Sequence, residues 1–263
     1  MTQTAITHIV WLGFAGSLLA GMCTAVGAAG VFFVRKLSLK LEHGLLSAAA
    51  GIMLAATFFS LLLPAIHYGE KYFGSTSNAV LLTIAGLLGG AILLQVIHQR
   101  VPHEHFFAGR EGPDHSALSR IWLFIIAITL HNFPEGMAVG VGFAGGDIAN
   151  GSSLATGIGI QNIPEGLAVS VSLISVGYSR LQAFGVGTLT GLVEPVGGIV
   201  GSLAVSAAGP AMPLAMGFAA GAMLFIISHE IIPETHRGGV ENVATFSLLC
   251  GFAVMMYLDA ALS

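Results

Sequence analysis

Three glutamates interrupt long apolar stretches of the sequence: Glu135, Glu165 and Glu194. A charge at the centre of a membrane-spanning helix costs about 2.5–3.5 kcal/mol on insertion scales, so each such carboxylate calls for a partner or a function. Unpaired carboxylates at one depth would repel one another strongly in a low-dielectric medium, and a divalent cation would relieve that repulsion. These residue types therefore indicate a buried cation site.

The residues around two of these glutamates repeat along the chain. HNFPEG at 131–136 and QNIPEG at 161–166 share the pattern [HQ]-N-x-P-E-G. In each copy the first side chain and the glutamate are four residues apart, so they lie on one face of a helix. Each proline lacks an N–H and favours a bend next to a polar cavity. A single Glu-Pro pair could be only a kink with a protonated carboxyl, but two matched copies and Glu194 argue against that interpretation.

The proposed ligands are imidazole nitrogen, carboxylate oxygen and amide oxygen, without a thiolate. This set suits zinc, iron(II), manganese, cobalt or cadmium better than copper(I). Three glutamates are enough to bridge two cations, so a binuclear site is one arrangement. The two cysteines, Cys23 and Cys250, lie in apolar stretches and are interpreted as core thiols.

The composition indicates that these residues are surrounded by lipid. Only 8% of the 263 residues are Asp, Glu, Lys or Arg, and the mean hydropathy is +0.87. A typical soluble domain has about 25% charged residues, and a soluble domain of this length could not bury so much apolar surface. The net charge of -4 is small and gives no indication of nucleic-acid binding, for which a basic patch would be expected. We expect neither a nucleic-acid partner nor an organic cofactor.

The elements that must position the ligands are membrane-spanning helices of roughly 20 apolar residues each. We predict an all-α, polytopic membrane protein in which residues 1–263 form a single transmembrane domain. A polar, His-containing loop at about 99–118 is its longest connection. Eight stretches qualify as spans: about 8–34, 44–68, 77–98, 119–145, 151–177, 181–208, 211–235 and 242–262.

The basic residues predict the orientation in the membrane. Of the nine Lys and Arg residues, all but Lys71 follow an odd-numbered span. The positive-inside rule places those loops in the cytoplasm and both termini outside it. Glu135 is 15 residues beyond Arg120, and Glu165 and Glu194 are 15 and 14 residues from Arg180. At 1.5 Å per residue, the three glutamates lie roughly 21–23 Å along their helices, at a common depth.

Other polar residues lie toward the two membrane faces. His229, Glu230 and Glu234 form a polar line that we interpret as a cytoplasmic route, with helix-end solvation as the alternative. Asp259 lies toward the opposite face and either collects ions or is an interfacial carboxylate. The loop could bind metal, or be merely solvated, through three histidines: His103, His105 and His115. The histidines at span ends are interpreted as interfacial: His8, His43, His67 and His98.

These motifs, with the Glu-Pro at 194–195 and SHEIIPETHR at 228–237, resemble the ZIP (Zrt-, Irt-like) metal transporters, in particular their GufA-type bacterial branch. The resemblance implies eight helices in a 3+2+3 inverted-repeat arrangement. It also implies movement of divalent metals, principally zinc, toward the cytoplasm, by a dimer with elevator-like motion.

The resemblance assigns roles to individual residues. The first metal position would use His131, Glu135, Gln161 and Glu165. The second would use Asn132, Glu135, Gln161, Glu165 and Glu194, with Asn162 adjacent. His229 and Glu230 would line the cytoplasmic route, and Met53, Ser60 and Asp259 would match entrance positions. Many relatives have His in place of Gln161 and an acidic residue in place of Asn162.

The leading hypothesis is a carrier of Zn2+, or of Cd2+, Fe2+, Mn2+ or Co2+, in the cell (inner) membrane, as a possible homodimer. Discontinuous helices that meet at a midplane site are typical of such carriers. The alternatives are an intramembrane metal-dependent hydrolase and a cation channel with a carboxylate-lined pore. Against the hydrolase, the sequence has no H-E-x-x-H motif.

Overall fold

The computed structural model describes residues 2–34, 36–100, 103–105, 109–111, 120–143, 146–175, 177–207 and 209–262. These residues are helical apart from turns, short linkers and one small hairpin. The helices are α1 Gln3–Ala29, α2 Leu39–Ala56, α3 Leu63–Phe73, α4 Thr76–Arg100, α5 Arg120–Gly142, α6 Ile148–Ser175, α7 Arg180–Gly191, α8 Glu194–Ala207, α9 Met212–Ile226, α10 Ile232–Thr235 and α11 Glu241–Leu262. The all-α prediction is confirmed, with the hairpin as a minor addition.

Six stretches among the described residues are long and apolar enough to cross a membrane. They are Gln3–Phe32, Leu39–Phe73, Thr76–Arg100, Arg180–Ser206, Met212–Thr235 and Glu241–Ala261. α5 and α6 are not among them, although they have 23 and 28 residues. These two helices carry the polar motifs. A polytopic helical protein is thus confirmed, and the count of eight spans stays a prediction.

Two of the spans widen locally into π-helix. The first π segment is Thr57–Leu62, between α2 and α3, and the second π segment is Ile227–Ile231, between α9 and α10. A proline, Pro64 or Pro233, lies in the first turn of the helix that follows each segment. Because proline cannot donate to the carbonyl four residues back, a wider turn relieves the clash. The carbonyl of Ser60, four residues before Pro64, accepts a side-chain hydrogen bond from outside its helix.

The helices pack in two sets. The first helix group contains α1 and α5 to α8, in which α1 packs mainly on α6 and α5 mainly on α8. The second helix group contains α2 to α4 and α9 to α11, in which α4 packs mainly on α9 and α11 mainly on α2. Helices from the first part of the chain therefore pair with helices from the last part, α2 with α11 and α4 with α9. An inverted repeat predicts pairing of this kind. Contacts of α2 and α11 with α6, and of α9 with α5, join the two groups.

The ends of the bundle differ in charge. Lys36, Arg100 and Arg180 lie at one end, which we call the basic end, and the Arg180 guanidinium donates to the carbonyl of Phe32 there at 2.8 Å. The loop predicted at 99–118 also starts at this end. Its described part is an antiparallel hairpin of β1 His103–His105 and β2 Gly109–Glu111, with His103 opposite Glu111. We call the other end of the bundle the far end.

Candidate metal site

Both repeated motifs lie within continuous helices. Pro134 is inside α5 and Pro164 is inside α6, so neither proline ends its helix. The motif side chains and the third glutamate are buried where α5, α6 and α8 meet. None of the seven predicted ligands is more than 5% exposed: His131, Asn132, Glu135, Gln161, Asn162, Glu165 and Glu194.

The glycine of each P-E-G motif explains how neighbouring helices come so close. A Cβ at Gly136 would overlap the backbone of Glu194, and a Cβ at Gly166 would overlap the carbonyl of Thr24. α8 and α1 therefore contact the motif helices backbone to backbone, directly beside Glu135 and Glu165. Close approach of this kind is what glycine provides in membrane helices. It brings the third glutamate next to the first.

The predicted span at 181–208 is discontinuous. α7 ends at Gly191 and α8 begins at Glu194, with a turn at Leu192 and Val193 between them. Glu194 thus lies in the first turn of a helix inside the bundle, where the helix dipole favours a negative charge. A broken helix that ends at a buried polar site is a common ion-binding device in transporters.

Two amides hold the carboxylates in place. The side-chain N–H of Gln161 donates to Glu135 Oε1 at 2.7 Å. The side-chain N–H of Asn162 donates to Glu194 Oε1 at 2.7 Å and to the backbone carbonyl of Ala20 at 2.9 Å. The QNIPEG motif of α6 thereby positions the glutamates of α5 and α8. We call Glu135, Glu165, Glu194 and these two amides the carboxylate site.

Several buried atoms of this site, and of Asn132 in the α5 motif, have no hydrogen-bond partner among the described residues. They are Glu135 Oε2, Gln161 Oε1, Asn162 Oδ1, Glu165 Oε2, Glu194 Oε2 and both amide atoms of Asn132. An unsatisfied buried polar atom costs about 1–3 kcal/mol, and more where it is charged. The three glutamates also interact with one another electrostatically. Because six of these seven atoms are oxygens and three of them belong to carboxylates, a metal cation fits the site.

A second cluster lies next to the carboxylate site. Glu230 of the second π segment contacts His98 Nε2 at 2.7 Å and His131 Nε2 at 2.5 Å. One ligand atom from each of the three residues lies within 4.8 Å of the others, and all three are buried. Two imidazoles and one carboxylate are a typical zinc ligand set. We call these three residues the His–Glu cluster.

The interpretation of His98 as an interfacial residue was wrong. It is 2% exposed, because α4 packs along α9 and carries the histidine onto Glu230. No local motif surrounds His98, so its spacing in the sequence gave no signal. His131 also interacts electrostatically with Glu165, so it connects the His–Glu cluster with the carboxylate site.

The other predicted route residues are placed less centrally. The ring of His229 stacks on Phe225 with centroids 4.8 Å apart, and lies 5.9 Å from the ring of His98. Glu234 is half-buried on α10, outside the His–Glu cluster, and interacts electrostatically with Glu42. A transport route through these residues stays a prediction.

The predicted entrance residues meet at the far end. The hydroxyl of Ser60 donates to Asp259 Oδ1 at 2.6 Å, and Met53 is fully buried on α2. A cavity of about 460 Å³ opens there, and Asp259, Asp147 and Asn150 are among its lining residues. The carbonyl of Ser60 accepts the Asn150 side-chain N–H at 3.1 Å. Their role as an entrance stays a prediction.

The histidines of the loop are only partly described. The backbones of His103 and His105 lie in β1, which contacts α5, and His115 lies outside the described residues. Metal binding by this loop stays a prediction.

Comparison with known proteins identifies the family. A family model described as "ZIP Zinc transporter" matches residues 99–259. The chain is 44% identical to the zinc transporter GufA of Myxococcus xanthus over 95% of this chain and 98% of that protein. It is 44% identical to the zinc transporter ZIPB of Bordetella bronchiseptica over 96% of this chain and 82% of that protein. The chain belongs to the ZIP zinc transporter family.

The family extends beyond bacteria. The human zinc transporter ZIP11 is 32% identical over 96% of this chain and 98% of that protein. The resemblance inferred from the motifs is therefore confirmed. Because ZIP proteins are transporters, the chain is a membrane transporter and not an enzyme, so the intramembrane hydrolase was a wrong alternative.

Proposed function

We propose that this protein carries Zn2+, and with lower preference Cd2+, Fe2+, Mn2+ or Co2+, across the cell (inner) membrane through the carboxylate site. The observation that supports this most directly is the set of buried oxygen atoms without hydrogen-bond partners among the described residues, on Glu135, Glu165 and Glu194 in particular. The relatives GufA, ZIPB and ZIP11 are zinc transporters, which supports zinc as the principal ion.

The ligands divide between the two motif helices. Glu135 and Glu165 would bridge the ion between α5 and α6, with His131 and the amide oxygen of Gln161 completing a first position. Asn132, Asn162 and Glu194 would extend the site toward α8 as a second position. The amide oxygens suit weaker, exchangeable binding, because a neutral oxygen holds a transition metal less tightly than an imidazole nitrogen does.

Burial favours a carrier over a channel. Glu135 and Glu194 are completely buried, although a carboxylate-lined pore would expose them to water. The position of the basic residues supports an orientation with both termini outside the cytoplasm and the basic end inside it. Net movement toward the cytoplasm is what the resemblance to ZIP transporters implies. The ion would reach either face as the two helix groups shift relative to each other, in a homodimer.

The test is zinc uptake by proteoliposomes that contain the purified protein and a zinc-sensitive dye. We expect saturable uptake, and complete loss of it in Glu135→Ala and Glu165→Ala, because each change removes an anionic ligand from both metal positions. Glu70→Ala is the control, since Glu70 is exposed on α3 and bonds only to Thr76 among the described contacts. Normal uptake by the Glu135 and Glu165 variants would reject the site, and a flux that never saturates would favour a channel.

A further inference from the structure

One face of α6 borders three spaces in succession. Positions on this face are separated by three, four or eleven residues, which are close to whole turns of an α-helix. From the far end to the basic end they are Asn150, Gln161, Glu165, Ala168, Ser172 and Ser175. Asn150 lines the cavity at the far end, Gln161 and Glu165 belong to the carboxylate site, and the last three line a crevice at the basic end.

This crevice lies where the two helix groups meet. It has a volume of about 300 Å³ and separates the last turns of α6 from the first turn of α2. Ala168, Ser172 and Ser175 form its α6 wall, and Lys36 and Glu42 lie on the opposite side. The crevice begins one helical turn beyond Glu165, on the same face of α6.

α2 presents a matching face along its length. Glu42 and Met53 are eleven residues apart, about three turns, so both lie on one side of α2. Met53 is fully buried near the predicted entrance, whereas Glu42 is half-buried in the crevice. The seam between α2 and α6 therefore runs from the far end to the basic end beside the carboxylate site.

Glu42 is the acidic residue among those that line the crevice, and a second carboxylate acts on it from outside that lining. Glu42 of α2 interacts electrostatically with Glu234 of α10, which belongs to the predicted cytoplasmic route. Neighbouring carboxylates in a cleft with low-dielectric walls raise the local concentration of cations. The hydroxyls of Ser172 and Ser175 add neutral oxygens, which bind weakly enough to let an ion leave.

We propose that a metal ion released from Glu165 leaves through this crevice, between α2 and α6, and that Glu42 is the carboxylate that receives it at the mouth. This proposal rests on the proposed function and names the exit of that same site. The path differs from one confined to the His–Glu cluster, which lies between α4, α5 and the second π segment.

The first test is thiol accessibility in sealed membrane vesicles. Ser172→Cys and Ser175→Cys are made in a protein whose native cysteines are replaced, by Cys23→Ala and Cys250→Ala. A membrane-impermeant thiol reagent should label both from the side of Lys36 only. Zinc should slow the labelling, and labelling should stop zinc flux. Ile174→Cys is the control, because Ile174 packs against a hydrophobic cluster outside the crevice and should stay unlabelled.

The second test separates exit from binding. Glu42→Gln should lower the maximal zinc flux by about threefold, because the mouth loses its acidic attraction for the ion, and should leave zinc affinity in calorimetry unchanged. Glu70→Gln should behave like the unmodified protein in both measurements. If the unmodified protein transports zinc while Ser172→Cys stays unlabelled and Glu42→Gln keeps full flux, the exit is wrong and the proposed function stands. If the unmodified protein carries no zinc at all, both proposals fall.

Discussion

The two π segments have the same backbone geometry but lie toward opposite ends of the bundle. Each precedes a proline, and each places one residue against a helix of the other half of the chain. In the first π segment Ser60 donates to Asp259 of α11, and in the second Glu230 contacts His98 of α4. π-turns are frequent at functional sites because they release backbone and side chains from the regular ladder.

The side chains at the two ends differ in what they can bind. At the basic end, two imidazoles and a carboxylate converge and all three are buried. At the far end, a hydroxyl and a half-buried carboxylate border an open cavity of about 460 Å³. Nitrogen ligands bind zinc more tightly than hydroxyl or water oxygen does. We therefore predict weak capture of the ion at the far end and stronger retention at the basic end.

The two ends also differ in how they join the helix groups. At the basic end, the contact of Glu230 with His131 crosses from the second group to the first. At the far end, the crossing bonds are Tyr68 to Asp147 at 2.9 Å and Asn150 to the carbonyl of Ser60 at 3.1 Å. A metal bound by the His–Glu cluster would compete with the ionic contact, whereas the far-end hydrogen bonds do not depend on the ligand set of that cluster.

The largest effect that distinguishes the two ends is expected from removing their carboxylates. Glu230→Gln should weaken zinc binding at the His–Glu cluster by about 100-fold, because the metal loses the only anionic ligand of the cluster. Asp259→Asn should change that affinity little, since Asp259 lies at the far end. Zinc titration by calorimetry, in a Glu135→Ala background that disables the carboxylate site, measures both. Equal losses in the two variants would contradict the proposed difference between the ends.

The sequence was informative where the chemistry is local and repeated. The two P-E-G motifs identified Glu135 and Glu165, and the constant distance from basic residues identified the depth of Glu194. Their burial in one place agrees with that reasoning. Each of these signals is a motif or a spacing that can be read along the sequence, so no knowledge of tertiary packing is needed to find it.

The sequence was uninformative where two helices distant in the chain create the contact. His98 meets Glu230 only because α4 packs along α9, and neither helix carries a motif for that pairing. Prolines in these helices also differ in their effect on the backbone. α5 and α6 continue through Pro134 and Pro164, whereas a π segment precedes each of Pro64 and Pro233. Nothing in the local sequence separates these outcomes. The break of the sixth predicted span before Glu194 was likewise not expected.

A ligand added at the far end should reduce the difference between the ends. Ser60→His would place an imidazole beside Asp259, four residues before Pro64, which is the position that His229 has relative to Pro233 in the second π segment. We expect zinc affinity at the far end to rise by about tenfold and zinc turnover to fall, because a captured ion is released more slowly. Ser228→His is the matched control, since Ser228 is exposed and bonds its own helix carbonyls. An unchanged turnover in Ser60→His would mean that ions do not pass this residue.

The smallest expected effect concerns the hydrogen bonds that join the groups at the far end. Asp147 accepts one bond from the backbone N–H of Asn150 at 3.0 Å, which caps α6, and one from the hydroxyl of Tyr68. Tyr68→Phe removes only the bond that crosses between the groups, and should lower the free energy of unfolding in detergent by about 1 kcal/mol. Tyr72→Phe should have no effect, because Tyr72 is exposed.

A double-mutant cycle makes this last prediction specific to the pair. Asp147→Asn keeps the size of the side chain but weakens its acceptor, so it should lose less free energy in the Tyr68→Phe background than in the unmodified protein. Strictly additive losses would show that the two residues do not stabilise the protein as a pair. The bond would then not hold α3 to α6, and the far end would be joined through Asn150 and Ser60 alone among the contacts described there.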